Sequence, residues 1–515
     1  MVYTSAQTKN RLAGIKIQPF SGAFRTQNGQ SRGPRADRFH PAQATSGEAA
    51  RALYFHPGRS PKLGFSDALL TGLARDGGLY IPEEWPRFSK KEIRSWRGLS
   101  YQDIAFKVLA PFVGGEIDDA DLKRMIDEAY ATFKHPAVTP LVQSGANAFI
   151  LELFHGTTLA FKDVAMQLLG RLMDHALAAR GERATIVGAT SGDTGGAAID
   201  AFGGRDRTDI FILFPHGKVS PVQQRQMTTT SHANVYAIAV QGDFDDCQNL
   251  VKAMFNDIKF RDSMALAGVN SINWARIMAQ IVYYFTSAVA LGGPDRKISF
   301  TVPTGNFGDI FAGYAAKRMG LPVGKLVIAT NDNDILARTL KTGRYEMKGV
   351  KATTSPSMDI QISSNFERLL FEAYGRKPEK VRRAMDNLKQ SGAFEIEAEA
   401  LAFIRKDFKA GRATEKQVAE TIKNHLSETG YLLDPHTAIG VHVAAKHEKS
   451  NAPMVTLATA HPAKFPLAVE TACGINPALP SWLAGLMQRE ERFEVLNADI
   501  ETVENFIAKH ARIRS

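Results

Sequence analysis

The sequence predicts an α/β protein built on parallel sheets. From Arg183 onward, short apolar runs alternate with helix-periodic segments, the pattern of strand–helix–strand crossovers whose sheet is covered on both faces. Glycine-bearing turns separate several of those runs from the helices after them. The 515 residues, 44% hydrophobic and 23% charged, supply a large globular core divided over two to four domains.

The chain opens with a segment of different character. Residues 1–52 carry Lys9, Arg11, Lys16, Arg25, Arg32, Arg35, Arg38 and Arg51 against Asp37 and Glu48. That excess of six positive charges leaves only +4 of the total +10 for the rest of the chain, so no concentrated basic surface is expected to track nucleic acid. The segment lacks apolar periodicity and is expected to be disordered. It has no apolar signal core; an Arg-rich, acid-poor transit peptide is the alternative to a plain solvated tail in a cytoplasmic protein.

Residues 53–140 predict a helical N-terminal domain, with helical runs at Phe65–Leu73, Gln102–Leu109 and Asp119–Phe133. Next come a buried strand at Ala184–Ala189 and a helix through Ile199, then a strand at Asp209–Phe214 and a helix from about Pro221. Val235–Val240 leads to a helix announced by Asp243 and Asp245. Ile298–Val302 precedes a helix ending at Gly320, Leu326–Thr330 precedes one from about Asp334, and Val455–Thr459 is a late strand. Residues 376–430 read as a helical insertion, periodic over Ala398–Phe408 and Val418–Leu426. The longest apolar stretch, Ile277 to Gly293, is broken by Gln280, Thr286 and Ser287 and falls short of the roughly 18 residues a membrane span needs. Cys247 and Cys473 suit a reducing compartment and cannot form a disulfide framework.

In open parallel sheets, ligands bind beyond the carboxyl ends of strands, where helix N-termini present free N–H groups. Three turns occupy such places: Thr190-Ser191-Gly192-Asp193-Thr194-Gly195-Gly196, Pro303-Thr304-Gly305-Asn306-Phe307-Gly308-Asp309, and Thr459-Ala460-His461-Pro462. None matches GxxxxGK[ST] or GxGxxG, and spacing alone allows either plain turns or anion cradles. A fourth feature is Lys162, in the first turn of an amphipathic helix with apolar residues at 161, 164, 165, 168, 169, 172 and 173. A cation there opposes the helix dipole. It is either a surface lysine neutralised by Asp163 or an amine with a disfavoured ammonium form, suited to imine chemistry.

Six segments in order resemble the threonine synthase family of the pyridoxal-phosphate-dependent, tryptophan-synthase-β-like (fold type II) superfamily. They are KLGFSDALLTGLARDGGLYIPEEWP (62–86), HGTTLAFKDVAMQLL (155–169), GATSGDTGGAAI (188–199), PTGNFGDIFAGY (303–314), SPSMDIQISSNFERLLFE (355–372) and LATAHPAKFP (457–466). The resemblance implies one lobe over residues 141–295 with the Schiff-base lysine and substrate loop, and a second over 296–515 with the phosphate loop and the insertion. It makes Lys162 the lysine holding pyridoxal 5'-phosphate as an internal aldimine. Gly305, Asn306, Phe307 and Asp309 match the cofactor-phosphate loop, and Thr459 matches the hydroxyl meeting the pyridine nitrogen. Thr190, Ser191, Gly192, Asp193 and Thr194 resemble the loop gripping the substrate carboxylate, although many relatives have Asn in place of Asp193.

The implied reaction, the last step of threonine biosynthesis, turns O-phospho-L-homoserine and water into L-threonine and phosphate, with Lys162 as base at Cα. A monomer or homodimer is expected. Lys464 and Arg368 are candidates for the substrate phosphate, with solvated surface charge as their alternative. His155, His436 and His461 lack metal-ligand spacing and read as structural, so no metal is expected. The competing readings are a dehydratase or phospholyase giving a keto acid, and a non-catalytic ligand sensor.

Overall fold

The computed structural model describes residues 53–54, 62–74, 77–447 and 452–514. The expectation of disorder for residues 1–52 lies outside the described residues. Two sheets carry the architecture. The larger has strand order Phe408–Arg412, Val323–Thr330, Ile298–Pro303, Met454–Ala458, Ala148–Glu152, Leu141–Gln143, parallel except for the last antiparallel pair. The smaller runs Glu494–Asn497, Val235–Gln241, Thr208–Pro215, Ala184–Ala189, Leu266–Ala267, all parallel. The inner strands are the apolar runs visible in the sequence. Thr208–Pro215, Ile298–Pro303 and Met454–Ala458 are buried at every position, as strands covered by helices on both faces must be.

Sheet membership interleaves along the chain and does not change hands at residue 295. Strands 141–143 and 148–152 join the larger sheet, while 494–497 crosses back to edge the smaller one. Periodicity reveals that a strand exists; its neighbours are set by non-local pairing, which is why the lobe boundary expected from the sequence differs from the sheets. The insertion at 376–430 is likewise not purely helical. Its helices Pro378–Ser391, Ala398–Asp407 and Glu415–Thr429 flank Ala393–Glu395, which pairs with Arg344–Glu346, and Phe408–Arg412, an edge strand of the larger sheet. Edge strands expose one side, so the mixed FKAGR pattern carries no strand signal.

The apolar stretch after residue 276 belongs to a buried 17-residue helix, Trp274–Ala290. It packs against helices Tyr101–Val113, Lys162–Arg180 and Gly308–Arg318. Among the described residues, no helix is long and apolar enough to cross a membrane. Aromatic contacts fasten the N-terminal helices to it: Phe88 lies 4.8 Å from Trp96 and Trp96 5.3 Å from Phe285, with Trp85 6.0 Å from Trp274. A helix absent from the sequence reading, Lys90–Ser95, starts at a Ser89–Glu92 capping box.

Arg368 is fully buried within this junction. Its Nε donates to the Tyr80 carbonyl at 2.9 Å, Nη2 to the Ile272 carbonyl at 2.6 Å, and Nη1 to Asn365 Oδ1. It is therefore neither a solvated charge nor a free phosphate ligand. It braces three segments remote in sequence.

Candidate active site

Three adjacent strands of the larger sheet end at one place. After Ala148–Glu152 the chain turns through residues 153–161 and bridges to the end of Met454–Ala458 through Ala160 and Ala460. The Phe161 N–H donates to the Thr459 carbonyl at 2.9 Å and the His461 N–H to the Leu159 carbonyl at 3.0 Å, which sets the first residue of helix Lys162–Arg180 beside Thr459. Gly156 permits the turn, because a Cβ there would lie 2.5 Å from Asp163. Asp163 accepts from the Thr158 N–H at 2.8 Å and its hydroxyl at 2.5 Å. Burial, reinforced by the nearby Asp200, pushes the Asp163 carboxyl up to about 7. It shapes the turn; the carboxylate that meets Lys162 belongs to Asp193.

Lys162 is buried, with Nζ 3.3 Å from Asp193 Oδ2 and 3.3 Å from Ser357 Oγ. Burial draws its ammonium below the ordinary lysine range; Asp193 opposes the shift, while Lys464 and Arg276 add to it. Asp193 begins helix Asp193–Phe202 at the end of a smaller-sheet strand, so this pair joins the two sheets' strand ends. Its Oδ1 receives Gln223 Nε2 at 2.9 Å and Lys464 Nζ at 3.0 Å. Burial alone would raise this carboxyl, yet Lys464 and Lys162 together hold it well below the usual carboxylate range. Within the same loop, Thr190 Oγ1 accepts the N–H groups of Gly192 and Gly195, both at 2.9 Å. Gly192, at φ 138°, faces Gln223 too closely for any side chain. The half-buried hydroxyls of Ser191 and Thr194 have no partner among the described residues.

The 303–309 turn is held from behind. Ser363 Oγ donates to the Gly305 carbonyl at 2.7 Å, and Asn365 donates to the Asn306 carbonyl through N at 3.0 Å and Nδ2 at 3.1 Å. Phe307 takes a left-handed φ of 64° and packs 5.3 Å from Phe366, so it contributes backbone while its ring enters the core. The N–H groups of residues 305–309, at the start of helix Gly308–Arg318, find no acceptor among the described residues. Free N–H groups gathered at a helix start suit an anion. Asp309 is engaged from the central helix: its Oδ1 accepts from Tyr283 at 2.5 Å and Tyr284 at 3.0 Å, and burial pushes it up to about 7. The Thr459 hydroxyl, on a buried residue, has no partner among the described residues.

Arg276, Ser357 and Gln223 also line this region and were not singled out by the sequence. Arg276 is a guanidinium in an otherwise apolar run, a signal that could have exposed it. It is buried and donates from Nη1 to the Val269 carbonyl at 3.2 Å; among the described residues it meets no carboxylate and its Nε has no partner. Gln223 is the third residue of a Ser220 capping box, and Ser357 lies in the 355–372 segment. The three histidines are engaged locally. His461 Nδ1 accepts the Ala463 N–H at 3.1 Å, and burial lowers the ring to about 4. His436 meets Asp434 at 2.7 Å and His155 meets Glu152 at 2.6 Å.

Comparison with known proteins bears on this arrangement. Residues 57–130 match the family model for the threonine synthase N terminus, 132–460 that for pyridoxal-phosphate dependent enzymes, and 437–507 that for the threonine synthase C-terminal region. The threonine synthase of Pseudomonas aeruginosa is 55% identical over 455 residues, covering 88% of this chain and 97% of that one. The chain belongs to the threonine synthase family of pyridoxal-phosphate-dependent enzymes. Its fold is similar to the crystal structure of a PLP-bound threonine synthase from Brucella melitensis (TM-score 0.89, 66% identity, covering 90% of this chain and 100% of that one). It is also similar to the yeast threonine synthase structure (TM-score 0.85, 42% identity, covering 90% and 99%).

The site fits the family's cofactor. A buried amine with a disfavoured ammonium form, a row of unpaired N–H groups and a free hydroxyl match an aldehyde, a phosphate and a ring nitrogen respectively.

Proposed function

We propose that this enzyme converts O-phospho-L-homoserine and water to L-threonine and phosphate at the crevice between the two sheets' strand ends. The observation that carries this reading is the meeting of Lys162, Asp193 and the helix-start loops in one buried place.

Pyridoxal phosphate, when bound, withdraws electrons from the substrate Cα through its ring. Lys162 would hold its aldehyde, the N–H groups of residues 305–309 its phosphate, and the Thr459 hydroxyl its ring nitrogen. Of the four residues expected at the phosphate, Gly305 and Asn306 supply the approach and Phe307 the left-handed backbone, while the Asp309 side chain anchors the helix start to Tyr283 and Tyr284. The Lys162 amine would take the Cα proton, and its burial favours the neutral form a base requires. The Ser191 and Thr194 hydroxyls and the start of helix Asp193–Phe202 suit the substrate carboxylate, with Thr190 and Gly192 shaping that loop.

Arg276 supplies the cation for the substrate phosphate. It is buried, has no carboxylate partner among the described residues and bears on Lys162 electrostatically, whereas Lys464 and Arg368 are buried and already engaged by protein acceptors. Two free cysteines suit a cytoplasmic enzyme, monomeric or homodimeric.

The test is product analysis with phosphohomoserine. Equimolar threonine and phosphate are expected, whereas ammonia with a keto acid would show a phospholyase instead. Lys162→Ala should lose turnover by ~10³-fold or more and lose the cofactor's visible absorbance while still unfolding cooperatively. Appreciable turnover by that variant would overturn the assignment of the base.

A further inference from the structure

Asp193 is shared by two buried ammonium groups, Lys162 at Oδ2 and Lys464 at Oδ1. Lys464 is completely buried: its Nζ donates to the Thr158 carbonyl at 2.6 Å and Gln226 Oε1 at 2.9 Å, and forms an ion pair with Asp193 Oδ1 at 3.0 Å. An inaccessible ammonium already engaged by three oxygen partners is poorly placed to bind a substrate group. We propose that Lys464 is a positioning residue acting through Asp193, a fixed buried charge that makes Lys162, and not Asp193, the group that changes protonation during turnover. This rests on the role given to Lys162 above.

The argument is one of net buried charge. With Lys162 protonated, the three groups Lys162, Asp193 and Lys464 carry +1; with Lys162 neutral they carry zero. A low-dielectric site disfavours the charged arrangement, so losing the Lys162 proton relieves the cluster. Without Lys464, the protonated Lys162–Asp193 pair is already neutral, and removing the proton creates an isolated buried carboxylate. That carboxylate would then compete for the proton that Lys162 must handle.

The remaining neighbours do not reverse this. Ser357 and Gln223 are neutral donors to Asp193. Arg276 adds positive charge near Lys162 and acts in the same direction as Lys464. His436, which bears on Asp193, is held by Asp434, and Asp163, which senses Lys464, bonds Thr158. The double pairing also explains how a carboxylate is tolerated in a loop suited to an anionic substrate: it enters the site already neutralised.

The test follows reductive methylation of Lys162 against pH, by peptide mass spectrometry, in the full chain stripped of cofactor. Lys416, whose side chain is 85% exposed, is the internal reference. In the unaltered protein the Lys162 midpoint should lie below that of Lys416. Lys464→Met should raise it by about one pH unit or more, and Asp193→Asn/Lys464→Met should bring it back down. The acid limb of the kcat profile of the loaded enzyme should move up with the single variant and return with the double. Should Lys464→Met fail to fold, Asp193→Asn alone gives the reading: the Lys162 midpoint must fall below that of the unaltered chain. A midpoint unmoved by Lys464→Met, or by Asp193→Asn, would overturn the proposal. Methylation is read whether or not phosphohomoserine is turned over, so this outcome is separate from failure of the functional reading.

Discussion

Gly305 approaches Ser357 so closely that a Cβ on the glycine would lie 2.7 Å from the Ser357 carbonyl oxygen. The same serine places its hydroxyl 3.3 Å from Lys162, so the 303–309 turn and the amine are linked through one residue. Gly305→Ala must push the 355–358 segment away or open the loop. Its affinity for pyridoxal phosphate should fall about tenfold, ~1.4 kcal/mol, in a fluorescence titration, with cooperative unfolding retained. Unchanged affinity would show that the cofactor phosphate sits elsewhere.

Arg276 is buried without a counter-charge among the described residues, an arrangement that costs stability in the free enzyme. Arg276→Met should leave the melting temperature unchanged or higher. The KM for phosphohomoserine and the inhibition constant for inorganic phosphate should both rise, by roughly 10- to 100-fold. A variant that melts lower while binding phosphate normally would make Arg276 a structural residue.

Asp309 predicts a pH dependence of stability. Its folded carboxyl is raised to about 7 from an ordinary 3.8, so the folded protein holds a proton that the unfolded chain releases. The contribution is complete below about 3.8 and is lost as pH climbs through about 7. Asparagine, permanently neutral, escapes that loss. The melting temperature of Asp309→Asn relative to the unaltered protein should therefore improve between pH 5 and pH 8 and level off above. A constant difference would mean that Asp309 titrates in its ordinary range.

Arg368→Met removes the guanidinium donors to the Tyr80 and Ile272 carbonyls and releases Asn365, which supports the Asn306 backbone. Urea denaturation should show a loss of about 3 kcal/mol. Cofactor affinity should weaken with it, because the brace and the loop share Asn365.

Much of this was legible in the chain. Strand Ala184–Ala189 and the helix start at Pro221 coincide with their sequence boundaries, because continuous apolar runs and capping residues are local signals. Lys162 was legible as a helix-start lysine, but its partner was not: sequence proximity favoured Asp163, whereas the fold brings Asp193 from the other sheet. Lys464 and Arg368 read as solvated or ligand-binding cations because burial of a charge depends on acceptors contributed by distant segments. Arg276 belongs to the same class: it stands just before the Ile277–Gly293 apolar stretch, and its burial comes from tertiary packing.

The strand Glu494–Asn497 lies along Val235–Gln241, roughly 250 residues after the strand it covers. During synthesis the rim of the Asp193-bearing sheet therefore stays bare until almost the entire polypeptide has emerged. An unpaired strand rim of this kind invites mispairing with other nascent chains. Truncation near the carboxyl terminus should accordingly be felt as poor yield and reliance on chaperones, well before any catalytic group has been removed.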